Sequence, residues 1–259
     1  MVLEHNLNPI FLNLFGLQIH WYGLMYVIGL AAGYFILNYF AKQGQLKLTE
    51  EEVLDLMVYI AVGLLLGSRI FYFIFYNFSQ VLQNPLSLFA IWKGGMSFHG
   101  GVIGVMTSGY IFCKLKKKSF MHIADYVTLP LTLGLGLGRL GNFINGELFG
   151  RPTSLPWAMN FGDNIPRHPS QLYEAAKNFT MTFFFWFIRN KHLPEGFRFW
   201  LFILFYGTLR FTIEFVRQPD PQLGFIFLNF TMGQVLCSVM VLVGGCMLWY
   251  IYTKHTKQQ

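Results

Sequence analysis

The chain has 259 residues, of which 54% are hydrophobic, 19% aromatic and only 12% charged, with a formal net charge of +7. That balance excludes an ordinary water-soluble domain and places the sequence among polytopic membrane proteins. It also excludes nucleic acid as the reason for the positive charge, because the lysines gather in short loops between hydrophobic runs.

Residues 1–18 carry no lysine or arginine and no small-residue cleavage site, so no removable signal peptide is expected. Ile10, Phe11, Leu14 and Phe15 fall at helical spacing, which predicts an amphipathic segment lying along the outer membrane interface. A bilayer core of about 30 Å takes roughly 20 apolar residues per helix. Seven stretches qualify as candidates: 21–41, 53–76, 100–113, 122–137, 171–188, 199–216 and 233–252, the third and fourth being short. Lys42 and Lys47 follow the first. Lys114, Lys116, Lys117 and Lys118 follow the third, Arg189, Lys191 and Arg198 the fifth, and Lys254 and Lys257 the seventh. The alternate loops are poor in lysine, so the positive-inside rule puts the N-terminus outside and the C-terminus in the cytoplasm. The expected fold is an all-α bundle of about seven transmembrane helices, one integral membrane domain over 1–259, with a small head inserted on the outer side around 142–168.

Polar residues interrupt these runs at a few places, and in lipid such groups are costly enough to mark functional sites. His20, Trp21 and Tyr22 open the first stretch, with Trp21 expected as an interfacial anchor. Arg69 sits inside the second and is expected either to snorkel or to hold a neighbouring helix through hydrogen bonds to carbonyls, slightly ahead of contacting substrate. Residues 92–101, WKGGMSFHGG, place His99 before two glycines that permit close backbone approach. After the fourth stretch comes 138–151, GRLGNFINGELFGR, with two arginines, two asparagines and a glutamate. Gly136, Gly138 and Gly141 spell a dinucleotide fingerprint there, but a preceding membrane helix is the wrong context for it. Residues 145–169 turn proline-rich and polar, which predicts an ordered head. In 167–174, RHPSQLYE, Glu174 lies three residues before Lys177, a spacing that predicts an ion pair on one helix face. Arg210, Glu214 and Arg217 fall at i, i+4 and i+7, so one helical face is expected to carry all three, with Arg210 about 10 Å deeper than Arg217. Cys113, Cys237 and Cys246 show no pairing or ligand spacing and are expected as small buried hydrophobes.

The central stretch resembles the signature of the bacterial prolipoprotein diacylglyceryl transferases, through Gly138, Arg139, Asn142, Phe143, Asn145, Glu147 and Gly150. Further similarity runs along nearly the whole chain: IHWYGLMY, GSR, GGMSFHGG, RHPSQLYE, YGTLRF followed by EFVRQPD, and MGQ. The resemblance implies an enzyme of the bacterial inner membrane, multi-pass, with a periplasmic head and an active site toward the outer leaflet. It implies that the diacylglyceryl group of phosphatidylglycerol moves to the thiol of the lipobox cysteine at the end of a prolipoprotein signal peptide. A thioether forms and glycerol phosphate leaves.

Given that reaction, the site must generate a thiolate and stabilise negative charge growing on phosphate. Arg139 and Arg210 are expected to clamp the phosphate, their planar guanidinium forks suiting it. His99 is the expected base, Glu147 and Glu214 are expected to orient the arginines, and Asn142 to hold headgroup oxygens. Tyr22 and Gly150 complete the expected substrate-contacting set. No cofactor, no metal and no nucleic acid are expected; membrane lipids are. Two rivals remain at this stage: a lipid or anion transporter, which predicts polar residues continuing toward the cytoplasm, and a lipid-headgroup transferase that needs no peptide acceptor.

Overall fold

A computed structural model describes residues 2–14, 16–90, 94–219, 225–227 and 230–256. Each of the seven apolar stretches lies in a helix, and the order among the described residues is α1 (Trp21–Lys42), α2 (Glu50–Tyr76), the short α3 (Phe78–Gln83), α4 (Phe98–Leu115), α5 (Phe120–Ile144), α6 (Ser170–Phe187), α7 (Phe197–Glu214) and α8 (Met232–Thr256). Four of them, α1, α2, α5 and α8, are long and apolar enough to cross a membrane. The other three have 18 residues each.

The apolar side chains face outward to a degree that water would not permit. Only 11% of the most apolar window of α8 is buried, and Phe35, Phe75, Phe187 and Trp249 are each about two-thirds exposed or more. Such surface belongs against lipid.

The chain forms two compact units, one of residues 1–33 and 124–259 and one of residues 34–123, whose boundaries fall within α1 and α5. In the second unit α2 starts on a capping box, in which Thr49 accepts from the Glu52 amide and Glu52 from the Thr49 amide. Three glutamates in its first turn complement the helix dipole. Helices α2 and α4 meet through glycine. A methyl group on Gly104 would stand 2.0 Å from the Gly63 carbonyl oxygen and 2.9 Å from the Gly67 Cα. Without a hydrophobic drive between helices in lipid, this close backbone approach is what holds the pair. Gly104→Ala is therefore expected to lower the melting temperature of the detergent-solubilised protein, at a cost of about 1–3 kcal/mol, the usual price of overpacking. A melt indistinguishable from wild type would show that the pair relaxes freely.

Arg69 is buried in this unit and donates only to backbone: to the carbonyls of Leu88 (3.0 Å), Gly95 (3.0 Å), Ser87 (2.6 Å) and Ala90 (2.9 Å), and to that of Gly94. It pins Ser87, Leu88, Ala90, Gly94 and Gly95 to α2. Trp92 and Lys93 lie outside the described residues.

In the first unit, α5 and α6 join where Gly136 leaves room for the Phe179 ring and Thr182 donates to Thr132 at 3.0 Å. Gly207 and Gly244 bring α7 and α8 together. Helix α7 begins at Gly196 (φ +84), and its first amides are capped from α5, where the Asp125 carboxylate accepts from Gly196 (2.7 Å) and Phe199 (2.8 Å).

Four expectations are corrected here. The N-terminal segment is not helical: β2 (Ile10–Leu14) pairs antiparallel with β3 (Leu17–His20), and Gly16 at φ +89 makes the turn. A short segment with ambiguous spacing is decided by the strand available to pair with it. Phe15 itself lies outside the described residues. Cys246 is exposed on α8, whereas Cys113 and Cys237 are buried. Helix α5 does not stop at Leu137 but runs through the first half of the polar signature to Ile144. Helix α7 ends at Glu214, and Arg217 lies just beyond it in a bridge to Gly150, so of the three charges only Arg210 and Glu214 lie in the helix.

Candidate active site

Helix α6 carries the residue that gathers the first unit's charges. Glu174 is 2% exposed, and its carboxylate meets three cations from three helices. Arg139 of α5 places Nε 3.4 Å from Oε2, Arg210 of α7 places Nε 3.2 Å from Oε1, and Lys177, one turn along α6, places Nζ 3.3 Å from Oε2. Arg210 also pairs with Glu214, four residues on. Glu214 accepts in turn from the Thr231 hydroxyl at 2.9 Å, and Gln234 at the start of α8 exchanges hydrogen bonds with Thr231. Gly233 stands against the Glu214 carboxylate so closely that a Cβ would lie 2.7 Å from Oε1. Glutamates buried this deeply are stable only because each is paired several times over.

The Glu174–Lys177 pair was predicted by spacing; the role of Glu174 as the anchor of both arginines was not. The available signal was a carboxylate inside an apolar helix, which by itself marks a site.

The signature around Arg139 curls back on itself. Helix α5 ends at Ile144, Gly146 takes φ +67, and the Glu147 amide bonds to the Asn142 carbonyl at 3.1 Å. The hydrogen bonds described for the Glu147 carboxylate come from Asn142 Nδ2 (2.8 Å) and Asn145 Nδ2 (3.3 Å). Glu147 therefore orients asparagines rather than arginines, a correction to the role expected for it. Gln171 Nε2 and Ser170 Oγ, at the start of α6, hold the Glu147 and Leu148 carbonyls at 2.7 and 3.1 Å. Tyr22 packs against this segment, where Gly141 has room for no side chain: a Cβ would lie 2.9 Å from the tyrosine ring. The Tyr22 hydroxyl meets that of Tyr26 at 3.0 Å.

Gly150 is buried where three backbone segments cross. Its amide donates to the His168 carbonyl, it bridges Arg217, and a side chain there would strike His168 and the Val216 carbonyl at 2.6 Å. Packing accounts for the glycine. Beyond it, β4 (Met159–Asn160) and β5 (Pro166–Arg167) form a hairpin, with β1 (Leu3–Glu4) parallel to β4. The Asn160 carboxamide oxygen collects the Gly162 and Asn164 amides at the turn.

Arg151 and Arg167 hold this head together. Arg151 Nε donates to the Arg217 carbonyl (2.9 Å), and Arg167 Nε donates to Asp163 (2.6 Å) while its guanidinium lies over the Phe149 ring. Burial raises the Asp163 carboxyl, but the hydrogen bond and charge of Arg167 and the Ile165 amide together outweigh it and leave the group below the ordinary aspartate range. Burial pushes the His168 imidazole down, favouring its neutral form beside the Tyr173 hydroxyl at 3.2 Å. Arg217, just outside α7, is pushed down first by burial and then by the positive charges of Arg210 and Arg139. His99 belongs to the second unit, where it stands exposed in the first turn of α4, whose N-cap Ser97 accepts from the Gly100 amide at 3.3 Å.

Charges of this number inside apolar helices have a solvation cost that fold stability alone does not justify, and the class they define is a multi-pass membrane protein with an ionic site buried among its helices. Comparison with known proteins supplies the particular family. The pattern of the prolipoprotein diacylglyceryl transferases matches residues 9–250. A phosphatidylglycerol-prolipoprotein diacylglyceryl transferase of Geobacter sulfurreducens is 47% identical over 242 residues, covering 92% of this chain and 93% of the relative. Proteins of the same name from Coxiella burnetii and Pseudomonas paraeruginosa are 45% and 42% identical, with 97% and 100% of this chain and 98% of each relative covered. The chain belongs to the prolipoprotein diacylglyceryl transferase family.

Proposed function

We propose that this protein transfers the diacylglyceryl group of phosphatidylglycerol to the signal-peptide cysteine of prolipoproteins. It is a transferase of lipoprotein biosynthesis. The observation that carries the reading is that one buried carboxylate, Glu174, presents Arg139 and Arg210 together. Two guanidiniums held from one point form a preorganised cradle for a phosphodiester, which the lipid substrate supplies.

In the proposed step the cysteine sulfur attacks the glycerol carbon bearing the phosphate. A carbon–sulfur bond forms, the carbon–oxygen bond breaks, and its electron pair leaves on glycerol phosphate. Arg139 and Arg210 take up the charge growing on that oxygen. Glu214 orients Arg210, while Glu147 orients Asn142 toward headgroup oxygens. Tyr22 borders the lipid, Gly150 keeps the loop that carries this set closed on α6, and His99 receives the thiol proton. The lysine-rich alternate loops support seven spans with the N-terminus outside, the head of residues 142–168 on the periplasmic side of the inner membrane and the site toward the outer leaflet.

The test is transfer of labelled diacylglycerol from phosphatidylglycerol to a lipobox peptide ending in cysteine, with a cysteine-to-serine peptide as control, by purified protein in detergent. Thioether on the first peptide alone is expected; no product from a protein that binds phosphatidylglycerol sinks the reading. His99→Gln is expected to slow transfer by roughly 100-fold, the span of one general base, with lipid binding kept, whereas Arg139→Ala impairs both. Equal loss of lipid binding in the two variants would overturn that division of roles.

A further inference from the structure

We propose that Lys177 makes the buried site selective for an anionic lipid headgroup by giving it a surplus positive charge, an inference that rests on the lipid-transfer reading above. The side chains joined by ion pairs are three cations, Arg139, Arg210 and Lys177, and two carboxylates, Glu174 and Glu214. Without Lys177 the two guanidiniums are matched by two carboxylates and the set is neutral.

Lys177 is an unusual residue to find there. Its side chain is 3% exposed, so its ammonium has given up water. Its compensation is a share of Glu174 at 3.3 Å and the face of the Tyr206 ring, 4.0 Å from Nζ to the centroid. Glu174 does not need it, since two arginines already neutralise that carboxylate. A third cation beside two others adds repulsion to desolvation and brings the fold no partner it lacked. The missing partner is an anion from outside the chain.

Lys177 does not have to touch that anion. By drawing on Glu174 it leaves Arg139 and Arg210 less neutralised, and they present the excess charge to the phosphate. It is a positioning and specificity residue rather than a catalytic one. The distinction it draws is between lipids of like shape: phosphatidylglycerol carries a net negative charge, whereas phosphatidylethanolamine is zwitterionic and neutral overall. A unit charge on the order of 10 Å from the phosphate, at an effective dielectric of about 20, is worth roughly tenfold in binding.

The test compares wild type, Lys177→Met, Glu174→Gln and Glu174→Gln/Lys177→Met, each checked for a monodisperse elution profile and a cooperative melt in detergent. Equilibrium binding of labelled phosphatidylglycerol is measured in mixed micelles, with excess phosphatidylethanolamine as competitor. Lys177→Met is expected to bind phosphatidylglycerol about tenfold more weakly and to lose it to the competitor. Glu174→Gln/Lys177→Met restores the surplus charge, so although the arginines lose their anchor and affinity falls, its preference for phosphatidylglycerol over phosphatidylethanolamine is expected to recover toward wild type, which a purely structural role for Lys177 would not allow. If Lys177→Met alone does not fold, Glu174→Gln is expected to prefer phosphatidylglycerol over the competitor about tenfold more strongly than the double variant, the two sharing the same loss of anchor. Unchanged selectivity in folded Lys177→Met, or selectivity in the double variant no better than in the single, overturns the inference. Transfer to the lipobox peptide is measured in parallel. Its absence in wild type overturns the transfer reading, while the lipid-binding results judge Lys177 separately.

Discussion

Glu174→Ala is expected to be the most damaging single substitution in the protein, removing transfer activity and much of the stability of the first unit together. The carboxylate is the one group that α5, α6 and α7 all converge on, through Arg139, Lys177 and Arg210. Removing one partner of a buried ion pair costs about 3–5 kcal/mol, because the remaining charge stays buried without compensation. Here three like charges would be left facing one another. Glu174→Gln retains the shape and one acceptor oxygen, so the fold is expected to survive. Its guanidiniums lose their common anchor, and displacements of about 1 Å in a reacting site cost on the order of 100-fold in rate. The two variants are separated by a thermal melt in detergent and by initial rates with the lipobox peptide. A Glu174→Ala protein that melts and turns over like wild type would mean that the arginines are held by something other than this carboxylate.

How much of this was legible beforehand divides along the range of the interactions. The helices were readable because hydrophobic length is a local property, and α1, α2 and α8 begin and end within a few residues of the expected stretches. The extension of α5 was not, since Arg139 and Asn142 look like the end of a membrane helix until Glu174 of α6 and the returning Glu147 supply partners for them. The N-terminal hairpin was missed for a related reason: Ile10, Phe11 and Leu14 fit a helical spacing, and only the pairing with β3 decides between the alternatives. Within the site, the contacts at i+3 and i+4 were visible in the sequence, Glu174 with Lys177 and Arg210 with Glu214. Contacts between helices were not. Spacing cannot tell that Glu174 rather than Glu147 anchors the arginines, because that depends on Gly146 turning Glu147 back onto Asn142. Arg151 and Arg167 show the converse, polar residues in the right neighbourhood that the head uses for its own cohesion.

Arg210 gives the second large effect, and it separates charge from shape. Its guanidinium reaches two carboxylates at once, Nε on Glu174 and a terminal nitrogen on Glu214. A lysine ammonium is a single point charge and serves one carboxylate at a time. Arg210→Lys is therefore expected to keep the net charge of the site and much of its lipid binding, yet to lose rate. Arg210→Ala is expected to lose roughly 100- to 1,000-fold in transfer, the usual consequence of deleting a preorganised donor to a developing anion. Stability discriminates further. In Arg210→Ala, Glu214 keeps only the Thr231 hydroxyl among the partners described for its carboxylate and remains a buried charge without a cation. Arg210→Ala/Glu214→Gln removes that charge, so the double variant is expected to melt higher than Arg210→Ala alone while transferring no faster, a non-additivity that marks two directly coupled residues. Additive losses in both melt and rate would instead place the two side chains in separate roles, with Glu214 answering to α8 through Thr231 and Gln234 rather than to the arginine.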